Sequence, residues 1–96
     1  MMRVEGSRLT VSGPATLATA AQLLEQARGA LAGGVTEVDL GEVTDVDSSL
    51  LAVLFAWMRE ARQQGRTLAL RRVPQDLASL ARLYGVAELL PQEAGR

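Results

Sequence analysis

An α/β fold is what this sequence predicts: one domain of order β-β-α-β-α-β-α, with a mixed sheet of four to five strands carrying its helices. Three observations lead there. Short strand-like segments alternate with longer helical ones, the pattern of βαβ units. Each expected helix runs into a glycine, at Gly33-Gly34, Gly65 and Gly85. Hydrophobic residues make up 48 % of the 96-residue chain, enough to build a core without covalent staples. No repeat, linker or low-complexity stretch divides the chain. Residues 1–96 are therefore expected to form a single domain, with its core over about residues 3–90 and a frayed tail at 91–96.

The elements follow in order. Residues 2–5 and 8–12 alternate around Gly6-Ser7 and read as a β-hairpin, of which Leu9-Thr10-Val11 is the better strand. Gly13-Pro14 is expected to end it. Leu17, Ala20, Ala21, Leu24, Ala27 and Leu31 then recur at helical spacing. Residues 35–40 alternate again, with Thr36, Val38 and Leu40 on one face and Glu37 and Asp39 on the other. An acidic loop over residues 41–47 leads to a second helix over residues 48–64. Residues 66–72 read as a strand with Leu68 and Leu70 inward. Pro74 suits the first turn of a third helix, whose apolar stripe is Leu77, Leu80, Ala81 and Tyr84; Asp76 lies where the helix dipole favours an anion.

What the chain lacks narrows its chemistry. It has no Cys, hence no disulfide, thiolate nucleophile or Cys-ligated metal. It has no His, which removes zinc hydrolysis and the Ser-His-Asp triad. All ten basic residues are Arg, so there is neither a P-loop lysine nor a Schiff base. A net charge of −1 offers no broad basic field for nucleic acid or anionic lipid. The start carries no apolar signal-peptide segment, and the longest apolar run, residues 50–58, is far shorter than a membrane span. The expectation is a soluble, cytoplasmic protein without a cofactor.

The second helix has more apolar surface than one sheet face requires. At about 100° per residue, Leu51, Leu54, Phe55 and Met58 form one stripe, suited to the sheet. Leu50, Val53 and Trp57 form another. Neighbouring helices could cover the second stripe; the sharper expectation is a partner surface anchored by Trp57, since a large aromatic flanked by aliphatics suits an interface. Just before it, Asp45, Asp47, Ser48 and Ser49 combine carboxylates with hydroxyls. Asp and Ser are ordinary N-caps. A hydroxyl exposed beside a binding stripe is also a natural switch: phosphorylation would add about −1.5 to −2 charges there, to be desolvated in any docked complex. Acid–base or metal chemistry from Asp45, Asp47 and Ser48 is a weak third reading, because the four acids of residues 39–47 have no His or further convergent ligand.

These residues carry a resemblance. Asp39-Leu40, then Val46-Asp47-Ser48-Ser49 ahead of a helix, resembles the signature of STAS domains, and the element order over about residues 3–90 fits that family. In its anti-sigma-factor-antagonist branch, the hydroxyl residue after the aspartate is a kinase's phosphorylation site, here Ser48. The stretch Leu77-Ala78-Ser79-Leu80-Ala81-Arg82-Leu83-Tyr84-Gly85-Val86, followed by Leu89-Leu90-Pro91, is similar to the ending of the small STAS subunit of Mla-type phospholipid-transport ABC complexes. The resemblance implies a non-catalytic subunit that binds the transporter's ATPase and reaches the membrane only through that complex. It also implies that Asp47, Ser48 and Ser49 lie at the contact; Leu50, Val53 and Trp57 join them from the helical periodicity. Two departures separate the branches: Leu50 stands where the pattern usually has glycine, and the loop after the second strand, Gly13-Pro14-Ala15-Thr16, lacks the acid that often follows its glycine in the family. Both favour the transporter subunit over the alternative, an antagonist switched by phosphorylation of Ser48 and partnered by a serine kinase (anti-sigma factor).

Overall fold

The computed structural model describes residues 1–91; of the expected frayed tail, residues 92–96 lie outside the described residues. Four strands form one sheet in the order β1-β2-β3-β4. β1 (Met2–Glu5) and β2 (Arg8–Ala15) are the expected antiparallel hairpin, and Val4 stands opposite Leu9. Gly6, at φ +61°, takes the left-handed conformation that this tight turn needs. β3 (Glu37–Val46) lies parallel to β2, and β4 (Ala69–Arg71) parallel to β3. The helices are α1 (Ala20–Gln26), α2 (Arg28–Ala32), α3 (Ser48–Gln63) and α4 (Gln75–Leu83), with a 3-10 turn at Ala87–Leu89. Among the described residues no helix is long and apolar enough to cross a membrane.

Two strands run further than their sequence signals. Residues 41–46 are not a loop but the second half of β3, paired with the end of β2 through Ser12↔Glu42, Gly13↔Val43, Pro14↔Asp45 and Ala15↔Val46. Gly13-Pro14 therefore does not end β2. The register shifts on either side of Gly13 mark bulges, and Gly13 itself sits at φ +82°. Proline is tolerated because β1 covers β2 only as far as Val11, leaving no ladder partner on that edge for a Pro14 N–H to serve.

The first helical segment also differs in detail. It is divided at Ala27, and its buried face is Leu23, Ala27 and Leu31. Leu17 and Leu24, expected on the inner stripe, are exposed, Leu17 by 75 %. Tyr84 is likewise outside the core at 56 % exposure, while Leu77 and Ala81 anchor α4.

α3 shows the largest difference. Leu50, Val53 and Trp57 are all buried, Trp57 with only 2 % of its surface exposed. The apolar stripe they form is therefore not an open partner surface. α3 is the middle helix of its layer, packed by α1 and α2 on one flank and by α4 on the other. Leu51 and Leu54 are buried along with the second stripe, so the helix needs apolar side chains around most of its circumference. The Trp57 indole N–H is buried and meets no acceptor among the described residues, so packing holds the ring.

A polar clamp secures the other layer. Asp39, 3 % exposed, accepts from Arg72 Nε at 2.9 Å and Arg72 Nη2 at 3.1 Å, and its Oδ1 also accepts from the Gly41 N–H at 2.9 Å. Gly41 leaves room for this guanidinium, into which a Cβ would project. Arg72 adopts φ +52°, the left-handed region that a non-glycine residue rarely takes, and the fork on Asp39 accompanies that conformation. Burial pushes the Asp39 carboxyl up, but the hydrogen bonds from Arg72 and Gly41 outweigh it and hold the group below its ordinary value of 3.8.

Truncating Trp57→Ala should cost about 3–5 kcal/mol in chemical denaturation, as expected for a core aromatic, whereas Trp57→Phe should cost clearly less because no indole hydrogen bond is lost. A Trp57→Ala protein as stable as the parent would show that the ring is not part of the core. Because the Asp39 pKa is depressed on folding, its contribution is present above pH 3.8 and is lost as pH falls through the lower folded value. Denaturation midpoints of Asp39→Asn should therefore fall less steeply than those of the parent on the acid side; parallel acid limbs would rule out this linkage.

Candidate functional site

The parallel β2–β3 pairing carries two chain segments to one end of the sheet. β2 ends at Ala15 and β3 at Val46, which are paired with each other, so the turn after β2 and the start of α3 emerge side by side. Ligand sites commonly form at the carboxyl ends of parallel strands. Here that place holds residues 16–19 and Asp47, Ser48 and Ser49.

Asp47 joins the two segments. As the N-cap of α3 it is extended, at φ −141° and ψ −173°, and its Oδ1 accepts from the Ser49 N–H at 2.9 Å. Its Oδ2 accepts from the Leu17 N–H at 3.0 Å. One carboxylate thereby caps a helix and ties down the turn that precedes α1. The Leu17 N–H, and after it the Ser49 N–H, hold the Asp47 carboxyl below its ordinary value against the opposing pull of desolvation. The turn has its own brace: Thr19 Oγ1 accepts from the Thr16 N–H at 3.0 Å and can donate to the Pro14 carbonyl at 3.1 Å.

Ser48 is exposed on the first turn of α3, and its hydroxyl meets no hydrogen-bond partner among the described residues. Ser49 is half-buried. One turn beyond Ser48, Ala52 is exposed too, and the exposed Leu17 side chain stands on the neighbouring segment. The resulting surface is small-residue and apolar around a free hydroxyl, with Asp45 at its edge. Of the six residues expected to form a partner site, the structure thus brings Asp47, Ser48 and Ser49 together at this end. Leu50, Val53 and Trp57 lie in the core beneath.

Leu17 and Thr19 belong to this neighbourhood, and sequence reasoning missed them. Leu17 looked like a core position because it fits the helical stripe. The available signal was the Gly-Pro-x-Thr-x-x-Thr run of residues 13–19, whose spaced hydroxyls suit a braced turn better than a helix interior.

The four acids of residues 39–47 have separate employments. Asp39 binds Arg72, Glu42 binds Arg3 at 2.9 Å, Asp45 accepts from the Thr44 hydroxyl at 3.3 Å, and Asp47 caps α3. Among the described residues no group of three or more acidic, His or Cys side chains is placed to hold a metal ion.

Comparison with known proteins places this geometry. A family profile described as "Mlab, STAS domain" matches residues 2–91. The chain is 37 % identical over 60 residues to the intermembrane phospholipid transport system binding protein MlaB of Escherichia coli (strain K12), and equally to that of Shigella flexneri. Each match spans 62 % of this chain and 62 % of the relative's length. Among solved structures, an anti-sigma factor antagonist from Thermotoga maritima superposes with a TM-score of 0.75 at 13 % identity, covering 96 % of this chain and 83 % of that one. The Bacillus cell fate determinant SpoIIAA in its phosphorylated form gives 0.67 at 14 % identity, over 99 % of this chain and 91 % of that one. At these identities the structures share the fold.

Asp47→Ala should lower the thermal midpoint by a few degrees and speed amide exchange at both Leu17 and Ser49. Faster exchange at Ser49 alone would mean that Asp47 only caps its helix and does not hold the turn.

Proposed function

This chain belongs to the STAS domain family, and from that membership we propose that it is a non-catalytic assembly or regulatory subunit of a bacterial phospholipid-transport ABC complex of the Mla type. It binds the transporter's cytoplasmic ATPase through the surface around Ser48, and it meets the inner membrane only through that complex. The observation that carries this reading is the exposed Ser48 end of α3, fastened by Asp47 to the turn bearing the exposed Leu17. The tie makes one preorganised surface from two segments, which lowers the ordering cost of docking. The identity to MlaB over 60 residues supports the choice of transporter.

The role requires only contact. Ser48 and Ala52 are small and let a partner approach the helix start, Leu17 supplies apolar area, and Asp47 positions them from below. Neither the ATPase's nucleotide nor the lipid need touch this domain. Residues 1–96 are proposed to form a single STAS domain, with its core over about residues 3–90.

A second reading, an antagonist whose binding to a serine kinase is switched by phosphorylation of Ser48, draws on the free, exposed hydroxyl at that position. Phosphate there would lie at the amino end of α3, where the dipole offsets part of its charge, so the fold would survive and the docking surface would change.

Co-purification from the native bacterium separates the readings. Parent protein should recover an ABC ATPase; Ser48→Arg and Leu17→Asp should each reduce recovery at least tenfold, the effect of about 1.4 kcal/mol, while circular dichroism and the thermal midpoint stay near those of the parent. Ser48→Ala should still bind. Retention of the ATPase by Ser48→Arg would remove this surface from the interface. Recovery of a small kinase, with phosphate on Ser48, would replace the transporter reading by the antagonist one.

A further inference from the structure

A concavity of about 280 Å³ opens at the other end of α3. Its lining includes Met58 and Arg62 from the helix, Arg66 and Leu68 from the segment leading into β4, and Leu89 and Pro91 after α4; Thr67 also reaches it. Along a helix that rises about 1.5 Å per residue, Arg62 stands roughly 20 Å from Ser48, so this pocket is separate from the partner surface.

Its two arginines differ from four others in the domain. Arg3, Arg8, Arg28 and Arg72 each face a carboxylate within ion-pair distance. Among the described residues neither Arg62 nor Arg66 does. Arg66 Nη2 donates to the Leu31 carbonyl and to Gln64 Oε1, at 3.1 Å in the latter case, which fixes the guanidinium in place. Its Nε is buried and meets no acceptor among the described residues. Arg62 is also favourably placed by charge at the carboxyl end of α3, but the helix dipole does not satisfy a buried Arg66 donor. The rest of the lining includes the apolar Met58, Leu68, Leu89 and Pro91, of which Leu89 is 61 % exposed.

We propose that this pocket binds a small amphiphilic phosphate, the anion on Arg62, Arg66 and Thr67 and a short apolar group against Leu68 and Leu89. Guanidinium forks match phosphate oxygens, and three donor groups suit the three free oxygens of a phosphate monoester better than the two of a carboxylate. The volume lies just below the lower end of drug-sized pockets, about 300 Å³, so a headgroup or a short-chain ester fits and a complete lipid does not. The proposal is independent of which protein docks at Ser48.

The test is a titration of the full chain with hexyl phosphate, followed by amide shifts in ¹⁵N-labelled protein. Saturable shifts centred on Arg66, Leu68 and Leu89 are expected. Arg62→Gln, a change on an exposed side chain, should weaken binding on the order of tenfold. Arg82→Gln, which removes an equal charge elsewhere, should leave it unchanged. Leu89→Ser should weaken hexyl phosphate but not inorganic phosphate. Flotation with phosphatidylglycerol vesicles identifies the source. Co-flotation that Arg62→Gln abolishes and Arg82→Gln retains would place the phosphate on a lipid headgroup. Hexyl phosphate binding without flotation would make it a soluble ester. Hexyl phosphate without saturable shifts at these residues, or an affinity unchanged by Arg62→Gln, would overturn the proposal.

Discussion

The burial of α3 on both flanks is the constraint on which the rest of this domain depends. The helix lies between α1/α2 and α4, with Leu50, Leu51, Val53, Leu54, Trp57 and Ala61 all buried. Deleting apolar atoms from such a position loses contacts in every direction and leaves a cavity that neighbours cannot easily fill. α1 and α2 contribute Leu23, Ala27 and Leu31 to the same core, and α4 contributes Leu77 and Ala81. The sheet completes it with Leu9, Val11, Val38, Leu40 and Leu70. Because every helix touches α3, its position sets where each of them can lie.

A helix so fully used for packing has only its ends and a narrow outer strip left for recognition. The amino end is made available by the extension of β2 and β3, whose last pair, Ala15↔Val46, delivers the turn of residues 16–19 and the N-cap Asp47 to the same place. Asp47 then does with one carboxylate what a loop would otherwise need several groups to do: it satisfies an orphan N–H of α3 and holds the backbone of Leu17. Rigid placement matters more here than chemical reactivity. The acids nearby are committed to Arg3, Arg72, Thr44 and the helix cap, and the exposed Ser48 hydroxyl beside them meets no hydrogen-bond partner among the described residues.

The opposite face of the sheet is organised differently. The row Arg3, Thr10 and Asp39 crosses adjacent strands in register, and Arg8 stands beside Glu37 with 3.1 Å between Nε and Oε1. These pairs are largely exposed and individually worth little, but they make this face of the sheet polar. Asp39 with Arg72 over Gly41 is the exception, since its carboxylate is buried and its partner's backbone is held in the left-handed region.

Much of this was legible in the residues. The Gly6-Ser7 hairpin, the glycine stops after the second and last helices, the N-cap Asp47 ahead of Ser48 and the inward Leu68 and Leu70 follow from local preferences, which act over a few residues and need no tertiary contact. What the residues could not decide was which neighbour covers each apolar side chain. Periodicity records that Leu50, Val53 and Trp57 share a face; only the arrival of α1 and α2 against that face makes it core. Periodicity likewise put Leu17 inside, whereas the carboxylate of Asp47, thirty residues away in the chain, holds its backbone in a turn that points it outward. Residues 41–46 look like an acidic loop because their polar side chains face water, and they become a strand through hydrogen bonds to β2. The sequence alone determined the fold class and the order of strands and helices, because local preferences act over a few residues. Tertiary structure decided the surfaces, because exposure depends on contacts between segments distant in the chain.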